Sequence, residues 1–186
     1  MIEQSSQRVT MFGHLGAFWG VTGVSLLLSF AVYRLMIITI DSFTFDFQWY
    51  HWLVLVANTM FMAYSEGYKG FQKGFSPRVA ARARYIKHNP RLLHVLVAPL
   101  FCMGYFFATR KRLIVTYTLS VGIIILIIIF QQLIQPWRGI LDAGVVVGLS
   151  WGIASLIWFA MPALSSDEFA VSPETPANAA NDPGGG

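Results

Sequence analysis

Charge interrupts this chain so rarely that water cannot be the solvent for most of it. Five apolar runs, at 15–33, 52–64, 92–108, 113–130 and 143–159, fill the body of the sequence. A helical span needs roughly 20 predominantly apolar residues to cross a hydrocarbon core. Backbone amides in that core find no water, and a helix satisfies them within its own segment. The runs therefore predict an all-α fold, a polytopic transmembrane helical bundle of five spans. Only 12% of residues are charged, about half the share usual in soluble domains, and a water-soluble reading is excluded.

Organisation follows from where the pattern breaks. Arg8 stands before the first apolar run, as in a signal peptide, but that run exceeds the 7 to 15 residues of a cleavable core and no small-residue cleavage motif follows it. It is read as a retained span. The expected parts are an N-terminal cytoplasmic segment at 1–12, the bundle at 13–162, a basic cytoplasmic connector at 67–91 within it, and a tail at 163–186. Prolines, small polar residues and acids without any lysine or arginine make that tail an expected disordered acidic segment.

Lysines and arginines set the orientation. Lys69, Lys73, Arg78, Arg82, Arg84, Lys87 and Arg91 fall together, whereas the connection at 41–49 holds Asp41 and Asp46 and no cation. The positive-inside rule places the first group and the N-terminus in the cytoplasm, in what is expected to be a bacterial inner membrane. Five spans then leave Arg110, Lys111 and Arg112 outside, against the rule. The alternative is four spans, with 92–109 forming a re-entrant hairpin that folds back at Pro99 or Gly104.

The connector carries the densest local signal. Between 67 and 75 glycines alternate with Tyr68, Lys69, Phe71, Lys73 and Phe75, a strip suited to a headgroup layer, where aromatic rings and cations both settle. Ser76 and Pro77 read as a helix start, and Asn89 and Pro90 as its stop. The short helix between them is amphipathic, with Arg78, Arg82, Arg84 and Lys87 supplying charge, and is expected to lie on the cytoplasmic leaflet. Tyr68, Lys69 and Lys73 join those four as candidate contacts to anionic lipid. Nucleic acid is not an expected partner, since the bilayer is the nearer anion.

Three further sets of residues bear on function. Gly144, Gly148 and Gly152 recur every fourth position, and Gly16 and Gly20 repeat the device, so both stripes are candidates for close helix packing. They are expected to meet each other, a partner helix or a second copy of the chain. Glu66, Arg138 and Asp142 are ionisable residues near membrane depth and candidates for a polar path; Lys69 is expected to neutralise Glu66, and Arg138 to pair with Asp142. His14 and His94 fall at the cytoplasmic ends of spans and are the candidates for haem.

No metal-binding, phosphate-binding or nucleophile motif appears, and the single cysteine, Cys102, has no partner for a disulfide. The leading expectation is a non-catalytic accessory or structural membrane subunit, without a cofactor, that packs against partner helices and engages anionic lipid. The alternatives are a small transporter or channel component, and a haem- or quinone-linked redox protein.

Overall fold

A computed structural model describes the backbone of residues 2–165 and 171–175, with side chains from residue 11 onward. Every regular element among them is helical. In order these are α1 (Ile2–Ser42), α2 (Trp49–Met62), a π-helical segment (Ala63–Phe75), α3 (Ser76–His88), α4 (Leu92–Leu96), α5 (Ala98–Met103), α6 (Arg110–Gln131) and α7 (Trp137–Ser165).

Three helical stretches are long and apolar enough to cross a membrane: Met11–Ser42, Arg110–Gln131 and Trp137–Ser165. At 1.5 Å per residue, α1 runs about 60 Å, twice the hydrocarbon thickness. The expected N-terminal segment is therefore not separate, because α1 begins at Ile2. Pro162 lies inside α7 and does not end it, so the helix passes the expected bundle boundary.

The third apolar run departs from the five-span expectation. Instead of one continuous helix it forms α4 and α5, of five and six residues. Pro99, at the start of α5, has no N–H to give. Beyond α5, Gly104 takes φ 87°, a left-handed conformation that glycine adopts without steric cost. α2 is also shorter than a span, with 14 residues of α-helix. It continues without a break through the π-helical segment into α3.

The chain divides into two compact units. One comprises 1–25, 75–118 and 156–186. Its core is built from small residues: Ala80, Ala81 and Ala83 of α3, Ala98 and Cys102 of α5, and Ala17 of α1 are all buried. Phe101 is fully buried among them. The α1 glycines admit this packing. A Cβ at Gly16 would meet Ile86 and Val95 at 2.8 Å, and one at Gly20 would meet the Cys102 sulfur at 2.7 Å. Gly13 rests on the Lys87 carbonyl and Gly23 on Pro99.

The other unit comprises 26–74 and 119–155. Here α7 packs glycine by glycine on α2 and the π-helical segment. Gly144 sits on Asn58 and Met62, Gly148 on Glu66, and Gly152 on the Phe71 ring, where an added Cβ would stand 2.6 Å away. Gly67 returns the favour beneath Trp151, whose indole donates to Gln72 Oε1 at 2.8 Å. Asn58 donates its amide to the Ile140 and Leu141 carbonyls at 2.9 and 3.3 Å. α6 contrasts with all of this, since Thr116 is its one buried residue.

Candidate functional site

Among the described residues, polar chemistry concentrates around Arg82. The small residues of α3 let that helix sink into its unit, and Arg82 goes with it, to 2% exposure. Its guanidinium meets backbone oxygens on every side. Nε donates to Phe101 O at 2.6 Å, Nη1 to Pro173 O at 3.0 Å, and Nη2 to Phe106 O and Phe107 O at 2.9 and 3.0 Å. The Phe101 ring lies 4.4 Å from the guanidinium carbon, within cation–π range.

The expected interfacial position of Arg82 is thus corrected. Five N–H donors in a rigid fork reach the Phe106 and Phe107 carbonyls beyond α5, the Pro173 carbonyl and the Phe101 carbonyl together. Burial pushes its pKa down to about 10, with Cys102 and Glu174 pulling it back and Arg112 adding to the depression. The group therefore remains a cation at neutral pH.

Two more arginines converge nearby on one carboxylate. Arg78 Nη1 of α3 lies 4.0 Å from Glu174 Oε1, and Arg112 Nε of α6 lies 3.7 Å from Glu174 Oε2. The strand of chain at 171–175 is fixed by its backbone too: Thr109 N–H donates to Glu174 O at 3.1 Å, and Glu174 N–H donates to Ser172 Oγ at 3.2 Å. Thr175 is fully buried. Of the expected disordered tail, the described part beyond α7 is therefore docked; 166–170 and 176–186 lie outside the described residues. Glu174 and Phe107 adopt φ of 50° and 52°, conformations that cost an L-residue free energy unless the surroundings over-determine them. Both backbones are held, through Thr109 and Arg82 respectively.

Beside this cage lies an apolar recess of about 670 Å³, lined by Arg91, Leu92, Leu93, His94, Val97, Phe106 and Phe107. His94 is buried, its ring 4.6 Å from Phe101 and 4.9 Å from Phe107. Its Nδ1 has no hydrogen-bond partner. Burial is the largest cause lowering its pKa, followed by the charges of Arg91 and Arg82, so the imidazole is biased toward neutrality. His14, by contrast, is exposed on α1. No group of three or more potential metal ligands occurs among the described residues.

The remaining sequence candidates fall in separate places. Lys69 lies over the Tyr64 ring at 4.8 Å and Lys73 over the Tyr68 ring at 4.7 Å. Both pairs are spaced i to i+5, the repeat that a π-helix hydrogen bond brings together. Lys69 therefore does not serve Glu66, whose side chain is half-buried against Gly148. Lys87 donates to the Leu164 carbonyl at 2.6 Å, satisfying an acceptor in the last turn of α7. Arg84 is half-buried. Arg138 and Asp142 do approach, Nε to Oδ2 at 3.8 Å, too far for a hydrogen bond.

The two glycine stripes face different neighbours, α3 to α5 for Gly16 and Gly20, and α2 with the π-helical segment for Gly144, Gly148 and Gly152. Sequence reasoning overlooked Asn58, whose signal was a lone amide within an apolar run, and Glu174 and Arg112, whose meeting no local pattern encodes. The chain matches no protein-family model, and comparison with curated proteins and with solved structures returned no match.

Proposed function

We propose that the protein is a non-catalytic accessory subunit of a membrane assembly that anchors itself through anionic lipid on its cytoplasmic side. One observation carries this reading: ten of the thirteen lysines and arginines lie between 69 and 112. A polycationic stretch flanked by apolar helices attracts the negative surface of the cytoplasmic leaflet by about 1 kcal/mol for each cation that reaches it, which leaves out the buried Arg82. α6 supplies the partner-facing surface in this reading, since its isoleucines are exposed along the helix and the glycine faces are engaged within the chain.

The topology that fits this function has four crossings, made by α1, α2 with the π-helical segment, α6 and α7. The N-terminus, 76–112 and the tail are then cytoplasmic. Two observations support it over five. The segment 92–108 breaks into two short helices, and Glu174 pairs with Arg78 and Arg112, which supports a common side for 171–175, α3 and the start of α6. Arg110, Lys111 and Arg112 then obey the positive-inside rule. A bacterial inner membrane is the setting in which that rule and anionic lipid operate together.

Purification in mild detergent, followed by native mass spectrometry and identification of co-purifying lipids and proteins, tests the proposal. Enrichment of phosphatidylglycerol or cardiolipin over zwitterionic lipid, with a stoichiometric membrane partner, is expected. Lipids in bulk proportion and no partner would refute it.

One observation favours a transport reading as the alternative: Asp142 is 3% exposed, and its Oδ2 lacks a hydrogen bond. That reading requires ion or proton flux in reconstituted vesicles that falls when Glu66 or Asp142 is neutralised.

A further inference from the structure

The carboxylate of Glu174 is held where a stronger anion would fit better. Arg78 and Arg112 approach its two oxygens from different helices, at 4.0 and 3.7 Å. Charge-assisted hydrogen bonds close to about 2.7–2.9 Å, so neither arginine bonds the carboxylate directly. A flat carboxylate offers two oxygens in one plane. The arginine fork pairs with carboxylate and phosphate alike, but a phosphate group offers oxygens in several directions and can meet two forks that arrive from different helices. Arg82 stands behind the same strand of chain, its guanidinium engaged by backbone oxygens.

The occupant is also removable. Glu174 and Arg78 are 39% and 32% exposed at their side chains, so the cleft opens to the surface. Glu174 adopts a left-handed backbone, which release would relax. Arg82 would lose only its bond to Pro173, keeping those to Phe101, Phe106 and Phe107. Those three bonds hold the guanidinium in place when Glu174 turns out of the cleft.

We propose that Arg78 and Arg112 form a phosphate-binding cleft that Glu174 fills as the chain's own competing anion, and that the phosphate of an anionic lipid headgroup displaces it. This rests on the anionic-lipid reading above and adds a specific site with a built-in competitor. The apparent affinity for lipid is then lowered by the fraction of molecules in which the strand is closed.

The test uses the full-length protein in detergent with phosphatidylglycerol, phosphatidylcholine or inorganic phosphate as probes. Two readouts are compared: lipid retained in native mass spectrometry, and hydrogen exchange at the Thr109 amide, which Glu174 protects. Phosphatidylglycerol, but not phosphatidylcholine, is expected to speed exchange at Thr109. Glu174→Gln is expected to raise phosphatidylglycerol retention about two- to fivefold, the range that partly exposed ion pairs support, and Arg112→Gln to lower it below wild type.

Equal retention by Glu174→Gln and wild type, with both still preferring phosphatidylglycerol, overturns the competition and leaves the anionic-lipid reading standing. Absence of that preference in every form overturns both. Inorganic phosphate releasing Thr109 as strongly as the lipid overturns the headgroup assignment in favour of a free phosphate. The exposed Glu174 substitution decides the matter even where Arg112→Gln does not fold.

Discussion

Single side chains in this protein are worth most where the backbone is irregular. Arg82 satisfies carbonyls at Phe106, Phe107 and Pro173, in turns or extended chain, and adds a second donor to the Phe101 carbonyl, which already accepts from Gly104 N–H. Arg82→Ala takes the side-chain donor from three half-buried carbonyls, at Phe106, Phe107 and Pro173, each costing about 1–3 kcal/mol where water does not replace it. A fall of at least about 3 kcal/mol in unfolding free energy is therefore expected, read by chemical denaturation in detergent. Arg82→Lys should recover only part of the loss, because an ammonium cannot fork toward several oxygens. Cys102 gives a complementary residue-scale prediction. It is 2% exposed, and burial pushes its thiol up to about 12 against the opposing pull of Arg82. A maleimide should leave it unmodified in the native protein and label it after denaturation.

At the scale of elements, the helical glycines differ in what stands beside them. A Cβ at Gly152 would strike the Phe71 ring at 2.6 Å, whereas one at Gly122 would meet nothing within 4 Å. Gly152→Ala is expected to cost about 1–3 kcal/mol by overpacking. Gly122→Ala should be neutral or stabilising by about 0.5–1 kcal/mol, since alanine is the better helix former. Thermal unfolding of the two purified variants makes the comparison. Local pattern was enough to read α3, whose start at Ser76 and Pro77 and stop before Asn89 agree with the observed Ser76–His88. It was enough for the three long apolar helices α1, α6 and α7 as well, but not for 92–108, which breaks into two short helices. It was not enough for the π-helical segment, because glycine-aromatic-lysine spacing suits a membrane interface and an i+5 ladder equally. Nor could it place Arg82, whose burial depends on alanines packing against other helices. The Glu174 site joins residues 62 and 96 positions apart, and no periodicity spans such a distance.

For the whole molecule the decisive question is which loops share a side. The pairing of Glu174 with Arg78 and Arg112 joins 171–175 to the cationic connector, and the proposed four-crossing topology rests on it. Because Cys102 is buried, single cysteines can be introduced without removing it. With an impermeant maleimide on intact cells, Phe45→Cys is expected to react, while Arg84→Cys, Lys111→Cys and Ser172→Cys should react only after permeabilisation. Labelling of Lys111→Cys from outside would restore the five-span order and separate Arg112 from Glu174 in any physiological state.

Thr116 is the sole residue of α6 buried by the rest of the described chain, and this makes the helix an unwritten page. Its outward isoleucines, valines and leucines need only stay greasy for the fold to tolerate them, so exchanging one aliphatic for another between 121 and 129 should leave the isolated protein intact. In a saturation library selected in living cells, a position there that rejects a valine-for-isoleucine swap would be reporting the shape of some other molecule pressed against it. The tolerance map of one helix would then outline its neighbour.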